Sequence, residues 1–165
     1  MVRRVFFSFE YGLDVSRAMV VRNSWVTQEK TTQEGSAQKR GEAAGFVDAA
    51  DFEKVKQKGD KAVRDWIDKQ LKGTSVTVVL VGKNTCDSKW VKYEIEKSRE
   101  VGNGLLGIDV SKIEDLKGNT TNRCGRIPAG YSFYCWDKDK GYENMGDWIE
   151  KAAQEAYWSR IVGME

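Results

Sequence analysis

One run of side chains constrains this sequence more than any other: Val76-Thr77-Val78-Val79-Leu80-Val81 is almost unbroken in its apolarity. A strand with one wet face alternates apolar and polar residues, whereas a central parallel strand covered by helices on both faces is apolar throughout. The flanking segments fit that frame. Arg4-Val5-Phe6-Phe7-Ser8-Phe9 reads as a buried first strand of β-branched and aromatic residues. From Asp14, a candidate N-cap, Val15, Ala18, Met19, Trp25 and Val26 fall on one helical stripe, with the stem of Arg22 lying along it. Residues 29–44 are polar, contain Gly35 and Gly41, and predict an exposed loop before a short second strand at Gly45-Phe46-Val47-Asp48.

The second half repeats the alternation. Asp60 is placed to cap a helix lined by Val63, Trp66, Ile67, Gln70 and Leu71, with Gly73 as its stop. Residues 88–101 predict a helix, 105–110 a fourth strand and 131–136 a fifth. Met145, Trp148, Ile149, Ala152 and Ala156 mark a last helix. Strands alternating with helices imply right-handed βαβ units. The expected fold is therefore α/β, a flavodoxin-like three-layer domain with a mostly parallel five-stranded sheet, spanning residues 1–165 as one unit. In such sheets ligands lie beyond the carboxyl ends of the strands at the switch in strand order, which points to Ser8 and Phe9, Asp48, and residues 82–85.

Composition removes several function classes. A net charge of +2 over 165 residues gives no field for capturing nucleic acid. No stretch reaches the roughly 18 to 20 apolar residues that span a bilayer, and Met1-Val2-Arg3-Arg4 leads into a strand rather than a signal-peptide core, so a cytoplasmic location is expected. Cys86, Cys124 and Cys135 show neither CxxC nor metal-ligand spacing, and are expected as free thiols in a reducing compartment with no metal site. The chain contains no histidine, which excludes Ser-His-Asp, Cys-His and HExxH chemistry together. Gly102-Asn103-Gly104-Leu105-Leu106-Gly107 spells GxGxxG, but leaves a helix and enters a strand, the reverse of a dinucleotide loop.

Three stretches together resemble the TIR domain: Val5-Phe6-Phe7-Ser8-Phe9, residues 76–82, and Ser88-Lys89-Trp90-Val91-Lys92-Tyr93-Glu94-Ile95. With Val21-Arg22-Asn23-Ser24-Trp25, the chain is similar to the TIR-like proteins of bacterial Thoeris antiphage defence, over about residues 3–110. The resemblance implies cleavage of the nicotinamide–ribose bond of NAD, of the NAD glycohydrolase or ADP-ribosyl cyclase type. NAD would be substrate rather than cofactor, and the product a cyclic or conjugated ADP-ribose signal read by a separate effector protein. It also implies that Glu94 of Trp90-x-x-x-Glu94 is the catalytic residue; residues 49–59 match the position of the loop through which TIR domains often stack on one another, while Lys54, Lys56 and Lys58 by themselves read as a solvated charged loop.

The residues suit that chemistry. Breaking an N-glycosidic bond builds positive charge on the ribose, which a fixed carboxylate stabilises more in the transition state than in the ground state. Nicotinamide leaves without needing a proton, so neither a second acid nor a histidine is required. Trp90 and Glu94 lie one turn apart and share a helix face, with Val91 and Ile95 on a neighbouring stripe. Ser8, Phe9, Asn23, Asp48 and Trp90 are the candidates for substrate binding. The alternative is a non-catalytic TIR-like scaffold that signals by self-association, in which Glu94 is only a surface or interface residue.

Overall fold

The computed structural model of the chain describes residues 3–12, 14–27, 29–31, 37–39, 41–45 and 49–163. Its elements run β1 (Arg3–Ser8), α1 (Val15–Thr27), β2 (Glu29–Thr31), β3 (Ala37–Lys39), β4 (Gly41–Ala44), α2 (Ala49–Lys56), α3 (Asp60–Leu71) and β5 (Val76–Val81). A 3-10 turn at Thr85–Asp87 then leads to α4 (Lys89–Glu100), β6 (Gly104–Asp109), β7 (Ser132–Cys135) and α5 (Gly141–Gly163). The main sheet has the order β4-β1-β5-β6-β7 and every pairing in it is parallel. This is the flavodoxin-like α/β arrangement expected from the run at 76–81, whose six residues are all buried.

Alternation along the strands sorts the core into two faces. Val5, Phe7, Val78 and Leu80 pack with Ala18, Val21 and Trp25 of α1 and with Met145 and Ile149 of α5. On the other face Phe6 meets Val63, Ile67 and Leu71 of α3, while Val79 and Val81 meet Val91 of α4. Thr77, the one polar residue of β5, also faces α4. Its hydroxyl pairs with that of Ser98 at 2.6 Å, so the break in the apolar run carries no unpaired group.

Three expectations need correction. Residues 29–44 contain an antiparallel hairpin, β2 with β3, followed by β4, which pairs with β1 from Arg3↔Gly41 to Phe6↔Ala44. The second strand of the sheet therefore precedes Gly45; Phe46, Val47 and Asp48 lie outside the described residues. Polarity misled because this is an edge strand of small residues, which burial does not force to be apolar. Residues 49–56 form a helix, not a loop, held by Phe52 against the α3 face.

The third correction concerns the thiols: Cys86 and Cys124 form a disulfide, leaving Cys135 free and half-buried. The long segment after β6 folds back along the β5–α4 turn, where the Cys124 N–H donates to Gly82 O at 2.8 Å and the Cys86 N–H to Cys124 O at 2.7 Å. This brings the two Cα atoms to 5.2 Å, a separation a disulfide spans. A spacing of 38 residues gives no hint of it in the sequence, and the thiols no longer argue for a reducing compartment. Among the described residues no helix is long and apolar enough to cross a membrane. Reduction by a dithiol, or replacement of both cysteines by serine, should lower the unfolding free energy by about 3–4 kcal/mol through the lost constraint on the unfolded chain. Guanidinium titration with and without reductant measures it.

Candidate active site at the carboxyl end of the sheet

From β1 the chain crosses outward to β4, and from β4 it returns past β1 to β5, so the strand order reverses between β1 and β5. Their carboxyl ends splay connections to opposite sides, which opens a crevice there. A cavity of about 270 Å³ occupies it. The exit from β1 supplies Phe9, Glu10 and Tyr11; α2 supplies Phe52 and Lys56; the turn after β5 supplies Asn84 and Asp87; and α4 supplies Ser88, Lys89, Trp90 and Glu94. The Tyr11 ring lies 4.2 Å from that of Phe9 and stacks on Phe52 at 5.0 Å, joining the β1 exit to α2 in one aromatic wall.

Asp14 holds the opposite wall. It is fully buried, and its carboxylate accepts from the Lys83 N–H at 2.8 Å and the Asn84 N–H at 3.3 Å. It therefore clamps the β5–α4 turn across the crevice rather than capping α1 with its side chain. Gly82 is required by the same contact, since a Cβ there would meet the Asp14 carboxylate. Thr85 completes the knot by accepting from the Gly82 N–H at 2.8 Å. These bonds set the position of Asn84 and of the first turn of α4, which Ser88 caps by accepting from the Val91 N–H at 3.2 Å.

Glu94 differs from Asp14 in having almost no partners. Its residue is 6% exposed on the sheet side of α4, yet it lines the cavity. Lys97, the neighbour on the next turn, pairs instead with Glu100 at 3.4 Å, and none of the ion pairs among the described residues involves Glu94. Burial pushes its carboxyl well above the usual range, opposed only by the Ser8 hydroxyl, which favours the charged form. Ser8 is itself fully buried at the end of β1, on the face that meets α4, and its Oγ makes no hydrogen bond of good geometry. In the resting site Glu94 is thus held toward its neutral form.

The structure brings Phe9, Trp90 and Glu94 into one cavity and sets Ser8 behind Glu94, out of reach of a ligand. Asn23 is exposed on α1 and does not line this cavity; Asp48 lies outside the described residues. Phe9 is 2% exposed, a wall rather than a stacking platform, while Trp90 is half-buried and meets Tyr93 edge-on at 6.2 Å. Sequence reasoning missed Glu10, Tyr11, Phe52 and Lys56. The apolar spacing of Phe52 and Val55 on a short helix was the available signal for α2. Among the described residues no group of three or more acidic or cysteine side chains is placed to hold a metal ion.

Two outcomes follow for stability. Unfolded, Glu94 titrates near its ordinary 4.5; folded, it keeps its proton to higher pH. The native state therefore loses stability as pH rises from about 4.5 upward. Glu94→Gln should match the wild-type melting temperature near about pH 4 and exceed it increasingly as pH rises above that; a pH-independent difference would contradict this burial. Asp14→Ala should cost about 1–3 kcal/mol at neutral pH by stranding two backbone donors, read by urea denaturation.

Comparison with known proteins bears on the whole of this site. The family described as "Thoeris protein ThsB, TIR-like domain" matches residues 6–115, a span holding every residue that lines the cavity. A protein of Bacillus cereus (strain MSX-D12), named "Putative cyclic ADP-D-ribose synthase ThsB1", is 39% identical over 149 residues, covering 90% of this chain and 72% of its own length. On fold, motif order and similarity alike, the chain belongs to the ThsB TIR-like family of Thoeris proteins.

Proposed function

We propose that this protein processes NAD, breaking the bond between nicotinamide and ribose and making a cyclic or conjugated ADP-ribose signal in antiphage defence. Glu94 is the catalytic carboxylate. The observation that carries this reading is a buried carboxyl, free of ion pairs, in the wall of an aromatic-lined cavity at the switch point of the sheet. A structural carboxylate buried to this degree is paired, as Asp14 is; an unpaired one costs stability and is retained where its charge is used. The name of the Bacillus relative points to the same chemistry.

Burial holds the resting Glu94 carboxyl well above its usual range, and no cation forms an ion pair with it among the described residues. A nicotinamide ring carrying positive charge supplies that cation, so its arrival draws the carboxyl toward ionisation. The C–N bond then breaks with its electron pair leaving on nicotinamide, which departs neutral, and the ribosyl cation that remains is stabilised by the Glu94 carboxylate. Capture of the cation by a nucleophile in the same ADP-ribose gives a cyclic product, and capture by water gives ADP-ribose. Walls formed by Phe9, Tyr11, Phe52 and Trp90 limit water and support capture within the ligand. The nucleotide made in this way acts on a separate effector protein.

Chromatography with mass detection of NAD incubated with the protein at high concentration, and in lysate of infected cells, tests the reading. Glu94→Gln should consume NAD about a hundredfold more slowly or worse. Equal rates in the two proteins, or no consumption by either in both settings, would sink it in favour of a scaffold. Because Glu94 acts ionised but is held neutral, kcat/KM should rise with pH and level off only above the usual carboxylate range.

A further inference from the structure

The cavity around Glu94 is small for what it is proposed to hold. Its volume of about 270 Å³ lies below the roughly 300–1,000 Å³ of pockets that enclose a drug-sized ligand. With Glu94 at the scissile bond, a cavity of this size would hold the nicotinamide–ribose end of NAD and leave the two phosphates at the mouth, where they would need cations. Among the described residues, Lys56 at the end of α2 and Lys89 at the start of α4 are the cations that line it.

Each lysine leans on an aromatic ring of the same cavity. The Lys56 Nζ lies 5.7 Å from the centre of the Phe52 ring, and the Lys89 Nζ 4.9 Å from that of Trp90. Their present ion pairs are at the surface: Lys56 with Glu53 at 3.8 Å and Lys89 with Asp60 at 2.8 Å, all four side chains more than half exposed. Pairs of that kind contribute little and exchange readily for a more highly charged anion. The position of Lys89 is itself informative. As the first residue of α4 it opposes the helix dipole, and the first turn carries no acidic residue to compensate. The helix thus carries a cation at its positive end, an arrangement an anion seated there turns from a cost into an attraction. Besides Glu94, the acidic lining groups are Glu10 and Asp87, acceptors suited to ribose hydroxyls.

We propose that Lys56 and Lys89 form a clamp across the mouth of the cavity that binds the pyrophosphate of the dinucleotide, and that they set the preference for NAD over ligands lacking phosphate. This rests on the NAD reading of the same cavity. The clamp binds and orients; it forms no bond with the reacting carbon.

The test pairs two ligands with two proteins. KM and kcat for NAD are measured on the wild type and on Lys56→Met/Lys89→Met, and the affinities of NAD and of nicotinamide riboside, which has the same scissile bond and no phosphate, are measured by calorimetry in the Glu94→Gln background. Removing the clamp should raise KM and weaken NAD binding by about tenfold for each lysine, with a smaller effect on kcat, and should flatten the salt dependence of NAD binding. Riboside affinity should stay within about twofold, or be as weak before the change as after it. Unchanged NAD affinity, or an equal loss for both ligands, overturns the clamp while the wild type still consumes NAD. Failure of the unaltered protein to bind or consume NAD overturns the NAD reading, and the clamp with it.

Discussion

The parallel pairing of β1 with β5 is the constraint on which the rest of this molecule depends. It joins segments some seventy residues apart in the register Val5↔Val76, Phe6↔Thr77, Phe7↔Val78 and Ser8↔Val79. Because side chains alternate along a strand, a slip by one residue would turn Phe7 toward α4 and Ser8 into the α1–α5 core. The register therefore decides two things at once. It seals the larger core, and it leaves the single hydroxyl at the end of β1 facing Glu94. The same pairing places the reversal of strand order between β1 and β5, so the crevice opens where these side chains emerge.

Two buried acids at this end of the sheet show how environment separates structural from chemical roles. Asp14 and Glu94 are both nearly inaccessible. Asp14 spends its lone pairs on the N–H groups of Lys83 and Asn84 and so fixes a turn. Glu94 faces only a serine hydroxyl without good hydrogen-bond geometry, and desolvation dominates its titration. A fold selected for stability alone would place an apolar residue or glutamine there. Holding a carboxyl in that state costs stability and stores its charge for a cationic ligand, a trade common at catalytic sites.

The long segment between β6 and β7 takes part in this arrangement although only its first residues fall within the family match at 6–115. Cys124 is bonded to Cys86, two residues before the cap of α4, and the backbones of the two segments are hydrogen-bonded on either side of the bridge. The turn that presents Asn84 and Asp87 to the cavity is thus braced from inside by Asp14 and from outside by the disulfide. A rim tied down at both sides keeps the first turn of α4 in place, and with it the lysine, tryptophan and glutamate that face the cavity.

Much of the architecture was legible in the sequence because it follows from local pattern. The run at 76–81 required a strand covered on both faces; the spacing in α1, α3, α4 and α5 required amphipathic helices; and the alternation of the two required a parallel sheet. Glu94 itself was reachable through Trp90-x-x-x-Glu94 and its neighbours. Where burial did not force a pattern, the reading failed, as in the small-residue edge strand β4 and the short helix α2. What the tertiary structure alone decided was the environment of each side chain: that Glu94 is desolvated and outside any ion pair among the described residues, that Asp14 clamps a turn instead of capping a helix, that Lys56 and Lys89 line one cavity, and that Cys86 finds Cys124. Those outcomes depend on which distant segments the sheet brings together, and desolvation, charge pairing and disulfide formation are properties of that proximity rather than of any stretch of chain.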